Sequence, residues 1–389
     1  MIEDKFFDEE VVRRGTGCYK WDEEPGDDVI PMWVADMDFR TAPAITEALR
    51  RRVEHGVFGY TLVGDDYYGA VIRWFRRRHQ WEIQRSWIQY TTGVVPALSV
   101  IIKAFTEPGD KVILQTPVYN CFFSSVRNNG CEVLENPLKY DANLRYEIDF
   151  DDLKTKTADP RAKLLVLCNP HNPVGRVWTK EELTRVHEIC KQHGVIVVSD
   201  EIHNELVFEG RYTAYGTVSK MDNAIISTSA SKSFNIAGLQ MANIICANEE
   251  WRAKIDRAIN INEVCDVNTF GPIAQQTAYN EGEEWLDTLC AYLYENYKIT
   301  LDFFARELPR LHFSPMEGTY LMWLDITPTG LTSEEIAERL QKEGRVQVNS
   351  GTMYGQREGE GFIRLNIACP RSRMMEGLRR IKNVMDRIL

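Results

Sequence analysis

The chain has 389 residues, 44% of them hydrophobic and 26% charged, a composition that excludes a disordered or collagen-like polymer. Its 46 Lys and Arg against 57 Asp and Glu leave a net charge of −11, which argues against non-specific nucleic-acid binding, because that needs clustered cations to displace counterions. No apolar run approaches the roughly 18 residues of a membrane span, and the acidic opening MIEDKFFDEE lacks the basic segment and apolar stretch of a signal peptide.

The length suggests two or three structural units around a substantial core. Nine scattered cysteines without a CxxC pair predict a reduced, cytoplasmic protein with no disulfide framework and no cysteine-based metal site. His187 and His193 stand at i and i+6, where a helical zinc pair needs i and i+4. Both are expected at the surface, and no metal is expected.

Taken in chain order, the first informative stretch is TTGVVPALSVIIKAF at 91–105. Gly93 precedes an apolar helix whose first turn accepts Pro96, a residue with no N–H to lose. The free amides at such a helix start suit an anion, although a helix that binds nothing reads the same way. KVILQ at 111–115 and AKLLVLCN at 162–169 read as buried strands. The second runs into NPHNPVG at 169–175, whose two Asn-Pro dipeptides force a rigid, non-helical turn. In an open parallel sheet the C-terminal end of a strand is where ligands bind, and Asn172 offers both a donor and an acceptor there.

TKEELTRVHEICKQHG at 179–194 predicts a helix with Thr179 and Glu182 as its capping box and Gly194 as its left-handed stop. It leads into the strand VIVVS at 195–199, a right-handed crossover between parallel strands. Asp200 falls at the end of that strand, with His203 three residues on. A buried carboxylate needs a partner, though an Asp that caps the next turn is the plainer alternative. AIISTS at 224–229 is a further strand, and Lys232 follows among small hydroxylated residues in STSASKSFNIAGLQ. A lysine in a pocket loses its proton readily and attacks carbonyl groups, whereas one in an open loop stays solvated.

The last third changes character. Residues 283–308 have the apolar spacing of one long helix. TSEEIAERLQKEG at 332–344 predicts a second capped helix, with Thr332 and Glu335 as its box and Gly344 as its stop. Strand-like TYLMWLDI and FIRLNIA flank it, and SRMMEGLRRIKNVMDRIL closes the chain as a helix. The reading is an α/β large domain with a mostly parallel central sheet, followed by a smaller α+β domain. No internal repeat or low-complexity linker is present.

In their order along nearly the whole chain, the glycine-led helix, NPxNPxG, the strand-end Asp, SxSK and a late Arg resemble the fold-type-I pyridoxal 5′-phosphate (PLP) enzymes, which have the aspartate aminotransferase fold. The resemblance implies a PLP-binding domain over 45–283, and a small domain made of 284–389 with the N-terminal segment 1–44. It implies that Lys232 joins the cofactor covalently, that Asp200 pairs with the pyridine nitrogen, and that Asn172 meets the phenolic oxygen. The amides of Val94 and Val95, with Ser229, would hold the phosphate, and Tyr119 would stack on the ring. Tyr60 would reach the phosphate in a partner subunit, which implies a homodimer with shared sites. Arg364, in GFIRLNIACPR, would bind the substrate α-carboxylate through a bidentate fork, while Arg371 is expected to be structural.

Two positions depart from the aminotransferase pattern. Gln240 stands where an Arg grips the phosphate, and His203 where a cofactor-binding Tyr is usual. With PMWVADMDF at 31–39, SDEIH and SKSFNIAGL, the chain is similar to the cystathionine β-lyase/C–S lyase subfamily. That likeness puts Trp33 to Asp36 at the substrate entrance, with the Val34 and Ala35 backbone near the amino acid. Many members carry a second tyrosine after the stacking one, where this chain has Asn120 followed by Cys121. The implied reaction is α,β-elimination from cystathionine or another S-substituted cysteine, with Lys232 as base and a thiol, pyruvate and ammonia as products. An aminotransferase would share the steps up to proton removal, and no residue decides that partition on physical grounds. Some relatives also bind a transcription activator, so a regulatory binding role is a further alternative.

Overall fold

Wholly apolar runs suit a parallel sheet covered on both faces, and in Ala162–Cys168 every residue except Lys163 is buried. The structure, a computed structural model, describes residues 4–23, 26 and 28–389. Its central sheet is built from β1 (Ile88–Thr91), β2 (Lys111–Leu114), β3 (Glu132–Glu135), β4 (Ala162–Cys168), β5 (Ile196–Asp200), β6 (Ala224–Thr228) and β7 (Ala242–Ile245), in the spatial order β1-β7-β6-β5-β4-β2-β3. Only β7 runs against its neighbours, and every other pairing is parallel.

The register sets Cys168 beside Asp200 and Asp200 beside Ser227, so three strands end level with one another. The expected strands at 111–115, 162–169, 195–199 and 224–229 all form, each within one residue of its predicted ends. In β5 the shift brings Asp200 inside the strand as its last residue. Thr179 and Glu182 make both bonds of the capping box on the helix Lys180–Gln192, and Gly194 has φ +70°. His193 is exposed as expected, but His187 is half-buried, its Nδ1 2.8 Å from Asn223 Oδ1.

A second, antiparallel sheet takes β8 (His312–Phe313), β9 (Leu321–Asp325), β10 (Asn349–Ser350) and β11 (Phe362–Asn366) in the order β8-β9-β11-β10. It packs on the helices Ser333–Lys342 and Arg371–Met385, with Leu324, Ile336, Leu365 and Leu378 in its core. Ile30 and Met32 join this core, because Ile30–Pro31 pairs in parallel with Val346–Gln347. The long helix runs from Glu283 to Glu307. Thr332 and Glu335 form their capping box, but Gly344 is not the left-handed stop. Arg345 has the positive φ, +54°, and Gly344 is needed for close packing instead, since a Cβ there would sit 2.9 Å from Val384 Cγ2. Among the described residues no helix is long and apolar enough to cross a membrane.

Candidate active site

The strands of the central sheet deliver the candidate residues to one edge. Past the end of β1, Gly93 takes φ +151° and the helix Val94–Phe105 begins. The N-cap residue Gly93 makes no side-chain cap, and Val94 and Val95 border a cavity of about 180 Å³. Past β2 comes Tyr119, past β4 the turn with Asn172, at the end of β5 Asp200 and His203, and past β6 Lys232. All of these border the same cavity. The turn is rigid for a packing reason as well. Gly175 has φ +75°, and a Cβ there would come within 3.0 Å of Met316 Cα.

Lys232 Nζ donates to the carbonyl of Ala35 at 2.6 Å, and Tyr320 OH donates to the same oxygen at 2.9 Å. Burial lowers the Lys232 amine to about 8, against the opposing pull of Asp36 and Asp200. Burial raises Asp200 to about 7, and the Ile202 N–H, at 3.1 Å from Oδ1, and the charge of Lys232 offset only part of that. A carboxyl held so high is one whose counter-charge from the chain itself is only partial. His203 is pushed well below the ordinary histidine range, first by burial and then by Lys232 and Arg364, so its ring is neutral, and its Nδ1 has no partner among the described residues. Burial, reinforced by Cys121, pushes the Tyr119 phenol well up.

Arg364 arrives from the second sheet, between Trp323 on β9 and Asn349 on β10. It is buried, donating through Nη1 to Asn172 Oδ1 at 3.1 Å and through Nη2 to the Trp33 carbonyl at 2.7 Å. Its Nε has no partner among the described residues, and its guanidinium carbon lies 4.7 Å from the centre of the Tyr354 ring. Asn366, two residues along the strand, donates to the Val34 carbonyl at 2.6 Å and to that of Asp36 at 2.7 Å. Ala35 borders the cavity, and Val34 does not.

One expectation needs adjustment. Ser229 does not border the cavity, because its hydroxyl donates to the Met241 carbonyl at 2.7 Å and accepts from the Ser231 N–H at 3.0 Å. Ser231 and Thr92 are the hydroxyl residues on the wall. Tyr60 is 98% exposed between the helices Pro43–His55 and Asp65–His79, away from its own chain's cavity. Arg371 lies outside as expected, its guanidinium 4.1 Å from the centre of the Tyr292 ring. Ala35 meets both Lys232 and Tyr320 only through tertiary contact, and Tyr320 carries no signal in the sequence that marks it for the site. Gln240 borders the cavity at φ +48°.

Residues 27–381 match the family model described as aminotransferase class I and II. Over 388 residues the chain is 44% identical to the cystathionine β-lyase PatB of Bacillus subtilis (strain 168), covering 98% of this chain and 100% of that protein. It is 35% identical to the protein MalY of Escherichia coli (strain K12), covering 97% and 98% of the two chains. Cystalysin from Treponema denticola, whose crystal structure contains pyridoxal 5′-phosphate, superposes with a TM-score of 0.95 at 35% identity over 100% of both chains. The chain belongs to the aminotransferase class I and II family and, within it, to the cystathionine β-lyase/C–S lyase subfamily.

Proposed function

We propose that the protein is a PLP-dependent carbon–sulfur β-lyase, which cleaves cystathionine or another S-substituted cysteine to a thiol, pyruvate and ammonia. The observation that carries this reading is that Lys232, Asp200 and Asn172 border one cavity, with the buried Arg364 bonded to Asn172 Oδ1, in a chain 44% identical to a cystathionine β-lyase.

The unsatisfied groups fit the cofactor. The uncapped Val94 and Val95 amides suit its phosphate. Asp200, raised by burial and with only a partial counter-charge, suits the protonated ring nitrogen. Asn172 and the unpartnered His203 suit the phenolic oxygen, Tyr119 suits the ring face, and Lys232 suits the aldehyde carbon. Bound there, PLP supplies an electron sink joined to the substrate Cα.

The chain's own residues do the rest. Arg364 orients the amino acid through its carboxylate, with the Val34–Ala35 backbone alongside. Lys232, with its amine near 8, is available as the neutral base that takes the Cα proton at Nζ, and the thiolate then leaves from Cβ. Asp200 keeps the proton on the ring nitrogen. Residues 45–283 form the cofactor domain, and 1–44 with 284–389 the small domain.

We read the assembly as a homodimer with shared sites. Val57, Phe58, Tyr60 and Leu62 form an exposed apolar loop, each more than half exposed, which supports burial against a second copy. Tyr60 of the partner subunit would then reach the phosphate. The nine free cysteines fit a reducing compartment such as the cytoplasm.

The test is an assay of purified enzyme with cystathionine and S-alkyl cysteines and no keto acid present. Pyruvate, ammonia and thiol in equal amounts support the lyase. Turnover only when a keto acid is added makes it an aminotransferase.

A further inference from the structure

The loop 33–38 is gripped from two sides. Arg364, Asn366, Lys232 and Tyr320 hold its carbonyls from the cavity side. From the outer side the N-terminal segment takes the Asp36 side chain. Arg13 forks onto it, with Nη1 3.0 Å from Oδ1 and Nη2 2.6 Å from Oδ2. The same Nη1 donates to the Met37 carbonyl at 3.0 Å and to Asp38 Oδ1 at 2.7 Å. Lys20, almost fully buried, adds a second cation 3.4 Å from Asp36 and 3.2 Å from Asp38. The side chains of Arg13 and Asp36 are each only 20% exposed, so solvent screens the pair weakly. Nothing in the proposed reaction uses Arg13.

Asp36 follows Ala35, whose carbonyl receives the Lys232 amine. It is also the strongest of the charged groups acting on that amine. Asp200 at the end of β5 and Cys121 on the helix Asn120–Asn128 act in the same sense, and Arg364 on β11 acts against them. His203 and Tyr320 face the site uncharged, and Tyr119 remains a phenol. Left bare, the Asp36 carboxylate would favour the ammonium form of Lys232, which cannot accept a proton. A bidentate guanidinium is well suited to cancel that charge while holding the carboxylate in one place.

We infer that Arg13 is a positioning residue for Lys232: by clamping and neutralising Asp36 it holds the Ala35 carbonyl in place and keeps the lysine amine available as a base. The inference rests on the reading of Lys232 as the cofactor lysine.

The experiment is a pH titration of the visible absorbance of the PLP-loaded enzyme without substrate, which reports protonation of the Lys232 nitrogen. Arg13→Gln is expected to raise the midpoint by about half a pH unit, the scale of one partly screened charge. Arg13→Lys, which keeps the charge but not the fork, should raise it less. Asp36→Asn should lower it. In the Asp36→Asn background the effect of Arg13→Gln should fall to less than half, because the charge it neutralised is gone.

A merely structural strap would move Arg13→Gln and Asp36→Asn in the same direction, or lower thermal stability with both midpoints unmoved. Either result overturns the inference. If Arg13→Gln does not fold, the opposite signs expected of Arg13→Lys and Asp36→Asn ask the same question. A wild-type enzyme without a visible band overturns the reading of Lys232 and the inference with it. A wild-type band that ignores these substitutions overturns the inference alone.

Discussion

Arg364 Nη1 and Asn172 Oδ1 lie 3.1 Å apart, the donor on a strand of the second sheet and the acceptor in the turn that ends β4. The bond joins the residue proposed for the substrate carboxylate to the one proposed for the cofactor oxygen. On that proposal, substrate orientation and cofactor orientation would be coupled across the two sheets.

Arg364→Lys should raise KM for amino acids while leaving the visible spectrum of the loaded enzyme intact. The lysine keeps the charge but loses the fork, and it can no longer reach the Asn172 oxygen and the Trp33 carbonyl together. Truncation to Ala should cost more, about 2–4 kcal/mol in kcat/KM. Decarboxylated substrate analogues are the control. Equal losses with them would make Arg364 a support of the fold and not a carboxylate site.

Lys232→Ala should abolish both turnover and the visible band of the loaded enzyme. Borohydride reduction followed by peptide mapping should mark Lys232 alone in the wild type. A fully active alanine variant, or label on another lysine, would remove this residue from the chemistry.

Asp200 should cost stability when no cofactor is bound. Burial raises its carboxyl from 3.8 to about 7, so the stability it contributes is complete below about pH 4 and is lost as pH rises towards 7. Over that window the loss reaches roughly 4 kcal/mol at most. The cofactor-free Asp200→Asn chain should therefore melt above the wild type at about pH 8 and level with it at about pH 4. The loaded variant should be slow even at saturating PLP, because a hydrogen bond to a charged group is worth about 1.5–3 kcal/mol. Thermal unfolding at the two pH values checks the first part, and a gain equal at both would contradict it.

Tyr60 tests the shared site. Lys232→Ala chains mixed with Tyr60→Ala chains should regain activity through subunit exchange, because one site of each heterodimer then carries neither lesion. The test needs Tyr60→Ala to be severely impaired alone, and a single phosphate hydrogen bond contributes only about 1 kcal/mol. With that impairment and exchange both demonstrated, a mixture that stays inactive would place Tyr60 outside the partner's site.

Much of the site was legible because its chemistry follows strand ends. An apolar run that stops at Asn-Pro, at Asp or at a small-residue stretch with Lys marks the C-terminal edge of a parallel sheet, and a parallel sheet brings all such edges to one side. Ser229 was placed at the phosphate by the resemblance alone. Its spacing from Lys232 matched the resemblance, but its hydroxyl turns back to the Met241 carbonyl and leaves the wall to Ser231. Strands β1 and β3, which read IQYT and EVLE, interleave polar residues and lack the apolar run that marks β2, KVIL.

The sequence by itself determined the α/β architecture and the two capping boxes, because local patterns encode strands, turns and helix starts, and its resemblance to a family pointed to Lys232, Asp200, Asn172 and Arg364. Only the tertiary structure decided what those residues meet. Lys232 and Tyr320 close on the Ala35 carbonyl oxygen, Tyr320 from 285 positions along the chain, and Arg13 reaches Asp36 through a fork 23 residues away. The acidity of Lys232 and Asp200 is likewise a property of burial, which exists only once both sheets have packed around the cavity.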